Sequence, residues 1–227
     1  MKLTITYPES WAEIKYSDYM KYYKQIKPYE KTNQLEKVSL EAAAVHFCKV
    51  PTELLYMLPE DTYNKVKNAL TALFSTTDKL SLTNMFEVDQ TNYGFIPSLD
   101  EMSYGEYLDL ITYTEKNMWD NMPIVMSILY RPVIKQLGKQ YTIQSYTGTN
   151  DDRIELFKHV LTMDVVFGAT SFFLHLQKDL LNATLAYSIQ ILKEKQDHQT
   201  LAVVADLQKN GLDITQLASL QTMISQK

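Results

Sequence analysis

The chain has 227 residues, of which 45% are hydrophobic and 22% charged, and its formal charge is −5. That balance is ordinary for a globular protein and suits one large domain or two small ones, burying roughly 70% of the unfolded surface. A negative chain with no concentrated Lys/Arg face excludes phosphate-backbone binding as its main business, so any contact with nucleic acid is expected to be indirect.

Cys48 is the only cysteine, and 16 tyrosines and 10 methionines stand against 6 glycines. One cysteine rules out a disulfide framework or a thiolate metal site within one chain and fits a reducing compartment. The start, MKLTITYPESW, has no apolar run and does not read as a signal peptide. The most hydrophobic run, Val165 to Leu176, is too short to span a bilayer and contains His175, so no membrane partner is expected. Tyrosine and methionine supply adaptable contact area, either in a core or at an interface.

In chain order, residues 2–7 alternate and read as a short strand closed by Pro8. Residues 10–14 form a turn or one helical turn with Trp11 and Ile14 inward. Ser17 is read as the cap of a helix over about 18–26, stopped by Pro28. A polar link over 30–37 leads to a helix capped by Ser39, with Leu40, Ala43, Ala44 and Phe47 as its stripe. Thr52 opens a brief helix through Met57. Pro59 opens another, in which Tyr63, Val66, Leu70 and Leu73 recur at helical spacing. Lys15, Tyr16, Tyr19, Lys21, Tyr22, Tyr23, Lys24 and Lys27 form the one basic-aromatic cluster. It reads as a solvated helix face, with an acidic partner or nucleic acid as the alternative.

After a loop at 75–79, residues 85–88 and 93–96 flank the turn-formers Asp89 to Asn92 and predict a hairpin. The stretch from Phe95 to Val133 organises the rest. Ser103 and Glu106 make the Ser-x-x-Glu capping box, in which each side chain serves the other residue's backbone N–H. Behind it Tyr107, Leu110 and Ile111 predict one apolar face. A second helix is expected from Trp119 or Asp120, with Pro123 tolerated in its first turn. Val125, Ile128 and Leu129 face the core, and Pro132 is expected to end the helix by restricting Arg131. Arg131 is expected to pair with Asp100 or Glu106 and to lock the two helices together. Residues 140–146 suggest another strand.

Asp151 or Asp152 starts a helix containing Ile154, Phe157 and Leu161. Thr162 is read as the cap of the longest helix, to about Lys195 and near 50 Å long. Along it Val166, Phe173, Leu180 and Tyr187 repeat every seven residues, with Leu176 beside them, and this face is expected to meet an oligomeric partner. Gly168 is a place where that helix could break. Shorter helices follow over 201–209 and 214–224, with Gly211 between them. The fold expected is mainly α with a small β-hairpin component, multi-helix and elongated, with a long C-terminal helix. Three regions are expected: 1–80 (helical, with a short first strand), 81–150 (hairpin and paired helices) and 151–227 (the long helix).

Motifs for chemistry are sparse. The chain has no glycine-rich phosphate loop, no HExxH and no GxSxG. His175 and Asp179 are spaced to share a metal but make one ligand pair, and His46 and Cys48 fall on different helix faces. No catalytic residue, cofactor or metal is expected, and the chain is read as a non-enzyme.

The segments TYPESWAEIKYSDYMKYYK, YGFIPSLDEMSYGEYLDL and MPIVMSILYRPV together resemble a recurring protein of tailed bacteriophages, in the structural gene block of podoviruses and crAss-like phages. The likeness covers roughly residues 3–133. It rests on Phe95, Ile96, Pro97, Met102, Gly105, Glu106, Tyr107, Asp109, Leu110, Leu129, Tyr130, Arg131 and Pro132. It implies a virion protein of the portal, neck and tail region, a ring or connector component assembled in the bacterial cytoplasm. Its partners would be portal, ring or tail proteins, and copies of itself in a cyclic oligomer. Phe95, Pro97, Glu106, Tyr107, Leu110, Tyr130, Arg131 and Pro132 are the interaction motif on this reading. An internal cargo protein ejected with the DNA and a tail-assembly chaperone are the alternatives.

Overall fold

The computed structural model describes residues 5–77, 80–98, 102–172 and 190. The chain divides into two units, Met1–Ser171 and Phe172–Lys227, and the architecture below is that of the first. It is mainly helical with a small antiparallel sheet, as expected.

A short 3₁₀ turn at Trp11–Glu13 leads into α1 (Tyr16–Ile26), and Trp11 and Ile14 are buried. Residues 5–8 are not strand, and 2–4 lie outside the described residues. Ser17 is not the cap of α1. Lys15 holds that position while bridging to Thr162, and Tyr16 N donates to Leu161 O at 2.9 Å, so the helix starts where that bridge ends. α2 (Leu35–His46) begins before Ser39, because the Ser39 hydroxyl lies 2.7 Å from Tyr22 Oη and ties two helices together instead of capping one. α3 (Thr52–Leu55) and α4 (Glu60–Phe74) follow their prolines, and Val66, Leu70 and Leu73 of α4 are buried. Tyr16 and Tyr22 of the basic-aromatic cluster face the core, and Asp18 takes up Lys21 at 3.2 Å and Lys49 at 2.5 Å.

The hairpin is present as β1 (Met85–Val88) and β2 (Thr91–Phe95), but its turn is tighter than expected. Only Asp89 and Gln90 lie outside the ladder, with φ of +47° and +64°. Two positive φ values give the type I′ twist that matches paired strands, which is why Thr91 and Asn92 are drawn into β2. Phe95 and Tyr93 turn inward from it.

α5 (Tyr104–Asn117) and α6 (Met122–Leu129) are the paired helices. All of α6 except Ile124 is buried. Pro132 does not end it. α6 stops at Leu129 and passes without a loop into β3 (Tyr130–Leu137). The restriction that a proline places on the residue before it is met equally by an extended strand, and Arg131 is in one. Residues 130–132 of β3 register with β2, and 133–137 with β4 (Gln140–Ile143) across a bulge after Val133. The strand order is β1-β2-β3-β4.

α7 (Asp151–Val160) is capped by Asn150, whose Oδ1 accepts from Arg153 N at 2.8 Å. Residues 163–172 are helical and run through Gly168 unbroken. A Cβ there would sit 3.1 Å from the Ser81 carbonyl carbon and closer still to its oxygen, so the glycine admits a neighbouring backbone. The expected helix beyond 172, with Phe173, Leu176, Leu180 and Tyr187, lies outside the described residues, as do Gly211 and the helices expected around it.

Among the described residues, two aromatic clusters form the interior. Trp11 meets Phe167 edge-on at 4.8 Å between ring centres and Phe47 at 6.1 Å. Beside the sheet, Phe86 meets Tyr130 at 5.0 Å, and Tyr93 meets Phe157 at 5.1 Å. Each such pair contributes about 0.5–1.5 kcal/mol beyond its buried area.

Candidate functional site

The start of α5, the start of β3 and the chain from Gln144 to Arg153 converge on a group of polar side chains. The capping box places the first of them. Glu106 N donates to Ser103 Oγ at 3.3 Å, and Ser103 N donates to Glu106 Oε2 at 2.7 Å. This fixes the Glu106 carboxylate facing inward, where its other oxygen stands 2.6 Å from Arg131 Nη1. The two side chains are only 5% and 6% exposed. Of the two partners weighed for Arg131, Glu106 is the one it meets. The pair joins α5 to β3 and does not tie α5 to α6.

The contact is a close buried ion pair, and among the described residues Arg131 Nε meets no acceptor. Burial alone would raise the Glu106 carboxyl. The hydrogen bonds from Ser103 and the Arg131 charge outweigh it and hold the group below the usual carboxylate range. Tyr146 lays its ring over the Arg131 guanidinium at 5.6 Å, and its hydroxyl donates to Asp109 Oδ2. Burial first, and then Asp109, push the Tyr146 phenol up, so it stays a donor.

Of the residues singled out in the sequence, Phe95, Glu106, Leu110, Tyr130 and Arg131 are buried together as the framework of this corner. Pro97 is exposed and Pro132 half-buried. Tyr107 was expected on the inner face of α5 but is 53% exposed. The inward position belongs to Glu106, because the capping box and Arg131 both claim its carboxylate. Tyr107 instead shares an outer face with Tyr104 (75% exposed) and Leu108 (43%), at the spacing that brings helix neighbours together. Val166, expected on a face offered to a partner, has no exposed surface and is used inside this chain's own core.

No protein family, curated protein or solved structure matches the chain. The corner must therefore be read from its own residues.

His46 and His159 do not join it. His46 Nε2 lies 2.9 Å from Gln25 Oε1, and His159 pairs with Glu155 at the surface. Burial pushes the Cys48 thiol up to about 11. His175 and Asp179 lie outside the described residues. Among the described residues, no three of His, Cys, Asp and Glu are grouped to hold a metal ion, and no helix is long and apolar enough to cross a membrane. Sequence reading missed Gln144, Tyr146 and Arg153. Only Asn150, a good cap ahead of Asp151 and Asp152, carried a local signal for where α7 would begin.

Proposed function

We propose that this chain is a non-enzymatic structural protein of a bacteriophage virion, a ring or connector component of the portal, neck and tail region that acts through protein–protein assembly. The observation that carries the reading is the outer stripe of α5. Tyr104, Tyr107 and Leu108 stand exposed on one face of a helix whose inner face is pinned by the sealed Glu106–Arg131 pair. Aromatic side chains held on a fixed helix lose little entropy on contact, which is what a permanent assembly surface needs. The motif likeness to podovirus structural proteins includes Glu106, Tyr107 and Arg131 of this group. Partners on this reading are portal, ring or tail proteins and further copies of the chain in a closed ring.

Mass spectrometry of purified particles of the encoding phage, before and after triggered DNA ejection, tests it. A fixed component is present in both samples. Loss on ejection would identify cargo, and absence from both would identify an assembly chaperone. Replacing Tyr104 and Tyr107 with serine should abolish incorporation while leaving the circular dichroism spectrum and melting temperature within error. Normal incorporation of that variant would sink the role given to α5.

A further inference from the structure

A second buried guanidinium lies near the first, and among the described residues it has no counter-charge. Arg153 is 9% exposed, and among the described residues it forms no ion pair. Its Nη1 donates to Gln144 Oε1 at a long 3.4 Å, and its Nε is enclosed with no acceptor. An unpaired buried charge is among the costliest arrangements a protein can hold. Arg131 adds to that cost: burial first, and then the Arg131 charge, draw the Arg153 group below its ordinary value. Glu106 offsets Arg131 but does not reach Arg153.

Arg153 lines an open groove of about 190 Å³ together with Tyr93, Pro132, Gln144, Asn150, Asp152 and Leu156. The first turn of α7 adjoins it, with a partial positive charge at the helix start. The groove is small beside the roughly 300–1,000 Å³ of sites for drug-sized ligands, so it suits a single functional group. Its charge balance narrows the choice. Asp152 lines the same groove without pairing with Arg153, so a doubly charged phosphate would meet about twice the repulsion that a monoanion meets. A planar carboxylate also matches the guanidinium fork.

We propose that this groove is a binding site for one carboxylate group, received by Arg153 between the β3–β4 side of the sheet and the start of α7. The group can be carried by a free small acid or by an acidic side chain of another polypeptide. The site does not depend on the assembly role proposed above and stands or falls separately.

The test follows the Arg153 Nε–H resonance of the full-length chain by NMR during titration with sodium acetate, inorganic phosphate and a capped Gly-Glu-Gly tripeptide. Sodium chloride at matched ionic strength is the reference. Acetate or the tripeptide should shift the resonance saturably beyond chloride. A tripeptide binding about tenfold tighter than acetate assigns a polypeptide ligand, and similar affinities assign a free acid. Arg153→Lys keeps the charge but loses the fork and should weaken acetate about tenfold, read from neighbouring backbone amides. Arg153→Met should remove the response. If that variant does not fold, the lysine variant decides. Shifts no larger than in chloride, tighter binding of phosphate than of acetate, or unchanged affinity in Arg153→Lys would each overturn the proposal.

Discussion

Two glycine-to-alanine substitutions in helices should move stability in opposite directions, and the surroundings of each site set the sign. In a helix interior alanine is better than glycine by about 0.5–1 kcal/mol. At Gly105, in the first turn of α5, the new Cβ would meet only Tyr146 Cε1 at 3.9 Å, an ordinary contact. Gly105→Ala should therefore stabilise by about 0.5 kcal/mol. At Gly168 the Cβ would lie 3.1 Å from the Ser81 carbonyl carbon and 3.4 Å from Leu82 Cα, both backbone atoms that no rotamer change can move. The Ser81 carbonyl oxygen stands nearer still, so restoring a normal separation of about 3.5 Å needs a backbone shift of roughly 1 Å, and overpacking of this severity costs about 2–3 kcal/mol, the upper part of the usual range. Subtracting the helix gain of about 0.5–1 kcal/mol leaves Gly168→Ala destabilised by about 1–2.5 kcal/mol. For a unit of this size each kcal/mol is worth about 2–4 °C, so its melt should fall by about 2–10 °C while that of Gly105→Ala rises slightly. Calorimetry on the three proteins is the assay. A Gly168→Ala protein as stable as its Gly105→Ala counterpart would refute the close approach of the 81–82 backbone.

Glu106→Gln leaves Arg131 buried without a counter-charge and should cost about 3–5 kcal/mol in urea melts, against about 1 kcal/mol for Ser103→Ala, which removes only a cap. In the parent chain the Glu106 contribution has a definite pH sense. Its folded carboxyl is depressed, so the stabilisation is complete above the ordinary value of 4.5 and lost as pH falls through the lowered one. Glu106→Gln should flatten that part of the acid limb, and an unchanged limb would contradict the assignment. Cys48, buried with its thiol raised to about 11, should stay unlabelled by iodoacetamide at pH 7.5 in the folded chain and react only in denaturant. Gln90→Gly relieves a positive φ in a turn that favours glycine and should raise stability by up to about 1 kcal/mol; a loss would mean the Gln90 side chain has a role of its own.

Local features of this chain were legible in the sequence, and features settled by distant partners were not. The Ser103–Glu106 box, the stripe of α4 and the strands on either side of Asp89 each rest on residues a few positions apart, and each appears in the fold. Ser39 shows the limit of that reasoning: a good cap by type, it is claimed by Tyr22 from another helix. β3 escaped notice for a related reason. Its pairing with β2 is remote in sequence, and the Arg131–Pro132 step reads equally as a helix stop or an extended strand. On α5, periodicity alone puts the apolar Tyr107 inside. The buried residue is the charged Glu106, which only the arrival of Arg131 makes tolerable. Arg153 is the extreme case, since nothing in its neighbours along the chain marks it as buried.

The junction of α6 and β3 has a mechanical consequence. Helix and strand meet at consecutive residues, Leu129 and Tyr130, so no loop between them can bend or absorb strain. Arg131, the next residue along, carries the tie to α5. A pull on α5 is thus delivered one step from a joint that has no hinge, and the helix cannot tilt without carrying the strand with it. The amides of α6 and of the first half of β3 should exchange with solvent as one block, at a single opening free energy. A ring built from such subunits would pass force from neighbour to neighbour with little internal give.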